Sequence, residues 1–282
     1  MRGGRLNRET LAAIERWAAR ERIECLYFLA DSGDPETARL AEESGFRLVD
    51  LRVTLERRLG GSSGPASGAG RTVTATGRDA PTAEQAAAAA AVSSAGPPAA
   101  AAPAGGTAGA AAGEPETTMG PPLRVRPATG TDLPRLRRIA AASHRDSRFY
   151  HDRHFDRRRC DALYAGWIET SCADPAGVVL VATAAADPSA SPAGYATAVI
   201  GEDGEGRIGL FAVAPDARGR GVGGALVAAV LDWLAGRGAD PASVVTQGRN
   251  VRAQRLYQRF GMRTRSVELW FHRWWPPAEG ER

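Results

Sequence analysis

Residues 209–224 read GLFAVAPDARGRGVGG: an apolar run that breaks at Pro215 and passes through glycines at 219, 221, 223 and 224 into an apolar stretch ending near Leu234. This is the pattern of a strand that enters a tight turn and opens a helix. Successive amides in such a turn point inward and the positive end of the helix dipole adds to them, so the turn is built to hold an anionic diphosphate. The glycines let the backbone approach the phosphates closely. Gly-rich turns also serve nucleoside triphosphates and dinucleotides, but the residues present fit both poorly. A triphosphate loop needs Lys after its last glycine, and the chain has no Lys. A dinucleotide fold places its glycines after the first strand of a βαβ unit, whereas several strands precede these.

Working outward, strands are expected near 178–183, 194–200 and 206–213, where Val, Ile, Leu and Phe cluster between Gly, Asp and Pro. A strand opens this part at Leu123, a helix runs from Thr131 to about Ser143, and another covers 157–169. After the turn come a helix to about Leu234, a strand at 243–247, a helix at 251–260 and a last strand at 263–274. Strands followed by alternating β and α give an α/β sheet. A shorter piece precedes it, with a helix over 8–20 behind the N-cap Asn7, a strand at 23–30, a helix from Asp34-Pro35 to the stop at Gly45, and a strand from Phe46 to Leu55. With Gly45 laid on Gly261 the two pieces form a weak internal repeat, Asp34 falling on Asn250, Leu40 on Leu256 and Ala41 on Tyr257. Strand–helix–Gly–strand is a common unit, so chance recurrence is an even alternative.

Between the pieces, residues 60–122 hold 21 Ala, 12 Gly, 8 Pro, 7 Thr and 5 Ser, with no Leu, Ile, Phe, Trp or Tyr. A segment without large apolar side chains cannot offset the entropy of ordering it, so it reads as a disordered linker, and 276–282 as a disordered tail. The formal charge of +4 over 282 residues is no polycation, and no basic cluster interleaved with aromatics appears, which disfavours a nucleic-acid binder. Cys25, Cys160 and Cys172 form no disulfide framework and no zinc spacing. No secretion signal is apparent, and the Ala run at 86–91 is too short to span a bilayer, so a soluble cytoplasmic protein without membrane insertion is expected.

The second informative block is Asn250-Val-Arg-Ala253-Gln-Arg-Leu256-Tyr257-Gln-Arg-Phe-Gly261. Together with Arg218-x-x-Gly221-x-Gly223 after a Val-Ala-Pro strand end, it resembles the GNAT family of acyl-CoA-dependent N-acetyltransferases. The resemblance implies a GNAT fold, a mixed and centrally splayed sheet flanked by helices, and acetyl-CoA as co-substrate without a metal. It places the diphosphate on Arg218, Gly219, Arg220, Gly221, Val222, Gly223 and Gly224, the pantetheine arm along the backbone of Phe211, Ala212 and Val213, and a further cofactor contact at Asn250. Tyr257 becomes the general acid. A phenol with a reference pKa of about 10 holds its proton at neutral pH and can donate it to a departing thiolate. The competing reading of Tyr257 is a core aromatic.

The likeness extends over 123–275, the expected catalytic domain, through Asp146-Ser-Arg148-Phe149-Tyr150, Leu163-Tyr164-Ala-Gly-Trp167, Arg207-Ile-Gly209-Leu210, Val245-Thr246-Gln247 and the strand Leu269-Trp270-Phe271-His272. It is greatest to the branch that acetylates the 4-amino group of a dTDP-linked 4-amino-4,6-dideoxyhexose (fucosamine). Residues 1–59 resemble a partial, non-catalytic GNAT-like module. The acceptor, a small molecule, is expected at Arg148, Tyr150, Gln247 and Trp270, with His151, His154 and Glu169 as bases by type alone. His151-x-x-His154 with Asp152 is a weak metal pattern. Other small amines, a protein N-terminus, or a non-catalytic CoA-binding module are the alternatives, and a homodimer is compatible with all of them.

Overall fold

The structure, a computed structural model, describes residues 5–60, 122–187 and 190–275. The linker and tail expected from composition lie outside these residues. The amino-terminal piece folds as α1 (Arg8–Arg20), β1 (Cys25–Asp31), α2 (Pro35–Glu43) and β2 (Arg47–Arg57). Both helices begin where a side chain satisfies an orphan amide: Asn7 accepts from Thr10 N, and Asp34 from Thr37 N with Pro35 at the first helical position. The longer piece runs β3 (Leu123–Pro127), α3 (Leu133–Ser143), a short α4 (Arg148–His151), α5 (Arg157–Ala173), β4 (Gly177–Ala184), β5 (Gly194–Ile200) and β6 (Gly206–Val213). It ends with α6 (Val222–Ala235), β7 (Ala242–Gln247), α7 (Val251–Arg259) and β8 (Arg263–Trp274).

All eight strands form one sheet in the order β1-β8-β2-β7-β6-β5-β4-β3. The two pieces therefore interdigitate. β2 lies between β7 and β8, antiparallel to both, and β1 covers the outer edge of β8. The expected boundary at 60–122 thus falls between strands of a single sheet. The weak repeat has a structural counterpart: β1-α2-β2 and β7-α7-β8 are equivalent units whose second strands pair with each other and whose first strands pair with the other unit's second strand. Gly45 and Gly261 end the two helices with φ of 84° and 77°, left-handed angles that favour glycine.

Strand alternation assigns the two faces of the outer sheet. Phe28, Ala30 and Phe271 point to one side, where Ile14 of α1, Ala41 of α2 and Phe46 close a small core. Tyr27, Trp270 and His272 point to the other, beneath the segment that links α3 to α5. The main core joins α3, α5 and α6 to the central strands through residues such as Leu136, Ile168, Tyr195 and Leu226.

Candidate active site

β6 and β7 are the parallel pair, and they part company. Their register covers only Gly206↔Ala242, Arg207↔Ser243 and Ile208↔Val244, although β6 continues to Val213 and β7 to Gln247. On its other side β6 stays paired with β5 as far as Gly194↔Val213, across a bulge between Ala196 and Ala198. From Phe211 to Val213 the backbone groups that point away from β5 therefore have no strand partner among the described residues.

The Gly-rich turn sits at the end of this open edge. Gly219 and Gly221 have φ of 76° and 81°, and Gly221 caps α6. The first intrahelical bond runs from Ala225 N to the Gly221 carbonyl at 3.1 Å, so the preceding amides of the first turn have no helical acceptor and carry the positive end of the dipole. Val222 is buried and anchors the helix, leaving its amide as the group that can serve a ligand. A Cβ on Gly223 would stand 3.2 Å from Leu256, so the absence of a side chain lets α6 close against α7. Arg218 Nε folds back towards the Val213 carbonyl at 3.4 Å. These features form a glycine-lined cradle at the end of the open edge of β6.

Tyr257 lies on α7 beside that edge. Its ring meets Phe211 edge-on at 5.8 Å, and its hydroxyl has no hydrogen-bond partner among the described residues. Burial pushes its pKa well above the ordinary phenol value, so it is protonated at neutral pH. Asn250 caps α7, its Oδ1 accepting from Ala253 N at 3.1 Å. That oxygen satisfies an amide of the first helical turn.

The structure brings together two of the four expected acceptor residues. Arg148 is buried, its guanidinium 4.2 Å from the centre of the Trp270 ring and 4.3 Å from that of Phe149. Gln247 stands apart at the end of β7, opposite Arg52, and its carbonyl accepts from Gln254 Nε2 at 3.1 Å. Tyr150 is buried and its hydroxyl donates to Asp161 at 2.5 Å, tying α4 to α5. Of the bases named by type, Glu169 is paired with Arg137 at 2.9 Å on the outer helices, and His154 bonds Asp152. His151 is exposed near Arg249, and partial desolvation together with that positive charge lowers its pKa.

Sequence reasoning missed a buried polar knot. Asp152 accepts from His272 Nδ1 at 2.7 Å, Trp274 Nε1 at 2.8 Å and the His154 backbone at 3.0 Å, and these donors hold its carboxyl far below the usual range. The knot fastens the segment after α4 to β8. Alternation of Trp270, His272 and Trp274 along one strand was the available signal. Among the described residues no group of three or more His, Cys, Asp or Glu could hold a metal ion, and no helix is long and apolar enough to cross a membrane.

Residues 135–262 match the model of the acetyltransferase (GNAT) family. The chain is 31% identical over 165 residues to a mycothiol acetyltransferase from Mycolicibacterium paratuberculosis, covering 52% of this chain and 48% of that protein. It is also 31% identical over 143 residues to the dTDP-fucosamine acetyltransferase of Escherichia coli O6:H1, covering 51% and 60%. It spans about half the length of these curated relatives. A GCN5-related N-acetyltransferase from Sphaerobacter thermophilus shares the fold with a TM-score of 0.55 at 16% identity, covering 93% of this chain and 67% of that one. The parted strands and the glycine cradle both fall within residues 135–262, the span that matches the acetyltransferase (GNAT) family model.

Proposed function

We propose that the protein is an acetyl-CoA-dependent N-acetyltransferase that moves the acetyl group directly to a primary amine. The observation that carries this reading is the parting of β6 and β7 beyond Ile208 and Val244, beside the glycine cradle and Tyr257. Bound there, acetyl-CoA would supply a thioester carbonyl for a neutral amine to attack and a thiolate to leave. Amides of residues 219–224 hold the diphosphate, and the open backbone of Phe211 to Val213 aligns the arm. The Tyr257 hydroxyl gives its proton to the departing sulfur and is refilled by the proton that the amine loses. The products are an N-acetyl amine and the free thiol.

For the acceptor, the likeness to dTDP-fucosamine acetyltransferase supports a dTDP-linked 4-amino-4,6-dideoxyhexose. The likeness to mycothiol acetyltransferases supports their amine as a second reading. Thiol release from acetyl-CoA, measured against a panel of dTDP-amino sugars, the amine substrate of mycothiol acetyltransferase, polyamines and N-terminal peptides, tests the proposal. Release that depends on one of these amines is the expected result, and none with any of them would contradict it.

A further inference from the structure

The carboxyl end of β7 opens onto a groove of ≈ 250 Å³ walled by Leu48, Val49, Asp50 and Leu51 of β2 and by Arg249. Its position follows from register. Arg52 stands opposite Gln247, the last residue of β7, so residues 48–51 run past the strand end, level with the turn that enters the helix of Tyr257. Gly248 N donates to the Leu51 carbonyl at 2.7 Å and locks that turn to β2. In open α/β sheets ligands bind outside the carboxyl ends of the parallel strands, and β6 and β7 are the parallel pair here.

The walls have a specific chemistry. A register shift between Leu48 and Asp50 leaves Val49 without a partner on β8, and its carbonyl accepts from Arg249 Nη2 at 2.6 Å. The same nitrogen is 3.5 Å from Asp50 Oδ1, whose side chain is 3% exposed while that of Arg249 is 31% exposed. One nitrogen of the guanidinium is thus held by β2, and among the described residues Nε and Nη1 have no partner. Leu48 and Leu51 are both exposed, at 49% and 38%. Asp50 Oδ1 is already taken by the Leu51 amide at 2.8 Å, so the groove presents the remaining donors of Arg249 beside two exposed leucines, which matches a group with hydrogen-bond acceptors and apolar faces. An ammonium would be repelled by Arg249. The volume is below the roughly 300–1,000 Å³ of sites that enclose a whole drug-sized ligand, so the groove takes one ring of the acceptor rather than all of it.

We propose that this groove is an acceptor subsite for a hydroxylated sugar ring, with Arg249 binding the ring and Asp50 positioning Arg249. The proposal rests on the N-acetyltransferase reading above, and it gives the amino-terminal segment a share in the site. The test uses the full chain with Arg249→Met, Arg249→Lys, Asp50→Asn and the double variant Asp50→Asn/Arg249→Met. Thiol release is measured with dTDP-4-amino-4,6-dideoxygalactose, glucosamine and the sugar-free amine spermidine, alongside calorimetric titration with acetyl-CoA and a thermal melt. Arg249→Met should raise KM for an amino sugar about tenfold more than for spermidine, the equivalent of one charge-assisted hydrogen bond. Lysine should restore part of the loss, Asp50→Asn should show the same split, and the double variant should lose no more than Arg249→Met. An equal rise for sugar and spermidine, or an unchanged sugar KM in a folded Arg249→Met protein, overturns the subsite. Wild-type protein that acetylates spermidine but neither amino sugar overturns it too, while leaving the N-acetyltransferase reading intact. Failure to bind acetyl-CoA defeats that reading and the subsite together. If acetyl-CoA binds and no amine is acetylated, calorimetry with the dTDP-amino sugar decides: binding by wild type that Arg249→Met loses supports the subsite, and no binding by wild type overturns it.

Discussion

Tyr257 packs its ring against Phe211 and its hydroxyl has no partner among the described residues, so Tyr257→Phe keeps the packing and removes only the hydroxyl. General-acid transfer is typically worth about 10²–10⁴-fold, and kcat should fall by that factor while calorimetric affinity for acetyl-CoA stays the same. A nearly silent substitution would assign the ring to packing alone. Gly221 offers a second test, because a Cβ there would meet nothing within 4 Å while φ is 81°. Gly221→Ala should therefore lose stability through the backbone alone, about 1–2 kcal/mol in a denaturant titration, and weaken acetyl-CoA binding as the turn relaxes. Gly221 and Tyr257 stand out in the sequence because close approach of a phosphate would demand glycine and protonation of a thiolate would demand a weak acid. Arg148 and Asn250 are less legible. Residue type announces a charge or an amide, but not that the guanidinium sits 4.2 Å over the Trp270 ring or that the amide oxygen caps a helix.

Among the elements, β2 is the one on which the others depend, since it supplies a ladder to β7 on one edge and to β8 on the other. Val53, Thr54 and Leu55 are buried in succession, as a central strand covered on both faces should be. Leu55 is fully buried, so Leu55→Ala should cost about 2–5 kcal/mol in a denaturant titration although the residue lies far from the cradle in sequence. Strands and helices were legible to within a few residues, because Pro, Gly and capping side chains mark their ends. The short helix Arg148–His151 was not, since four residues are too few to show a helical period. Nor was the interdigitation. A strand's alternation says which side chains share a face, but not which strand lies beside it, and the repeat of Gly45 on Gly261 became interpretable only once β2 and β8 were seen to pair.

The whole molecule should respond to acid through buried histidine. His144 stacks on Tyr164 at 4.3 Å and shares a hydrogen bond of 3.0 Å with Tyr195, and burial lowers its pKa from 6.5 to about 4. The unfolded chain takes up this proton first, so the stabilisation is complete above pH 6.5 and is lost as the pH falls towards about 4. His272 is shifted in the same direction. Thermal melts across that window should show a falling midpoint, and His144→Phe should give a lower but flatter profile. The molecule is built on one sheet: the amino-terminal segment supplies two of its eight strands, one of them between β7 and β8, and is not a neighbour tethered to the rest. A protease site introduced between residues 60 and 122, cleaved in the folded protein and followed by gel filtration with a thiol-release assay on each fraction, tests this directly. The two fragments should elute together, with acetyl transfer retained in that fraction, because strand ladders on both edges of β2 hold them. Separate elution, with full activity in the carboxyl-terminal fragment alone, would contradict it.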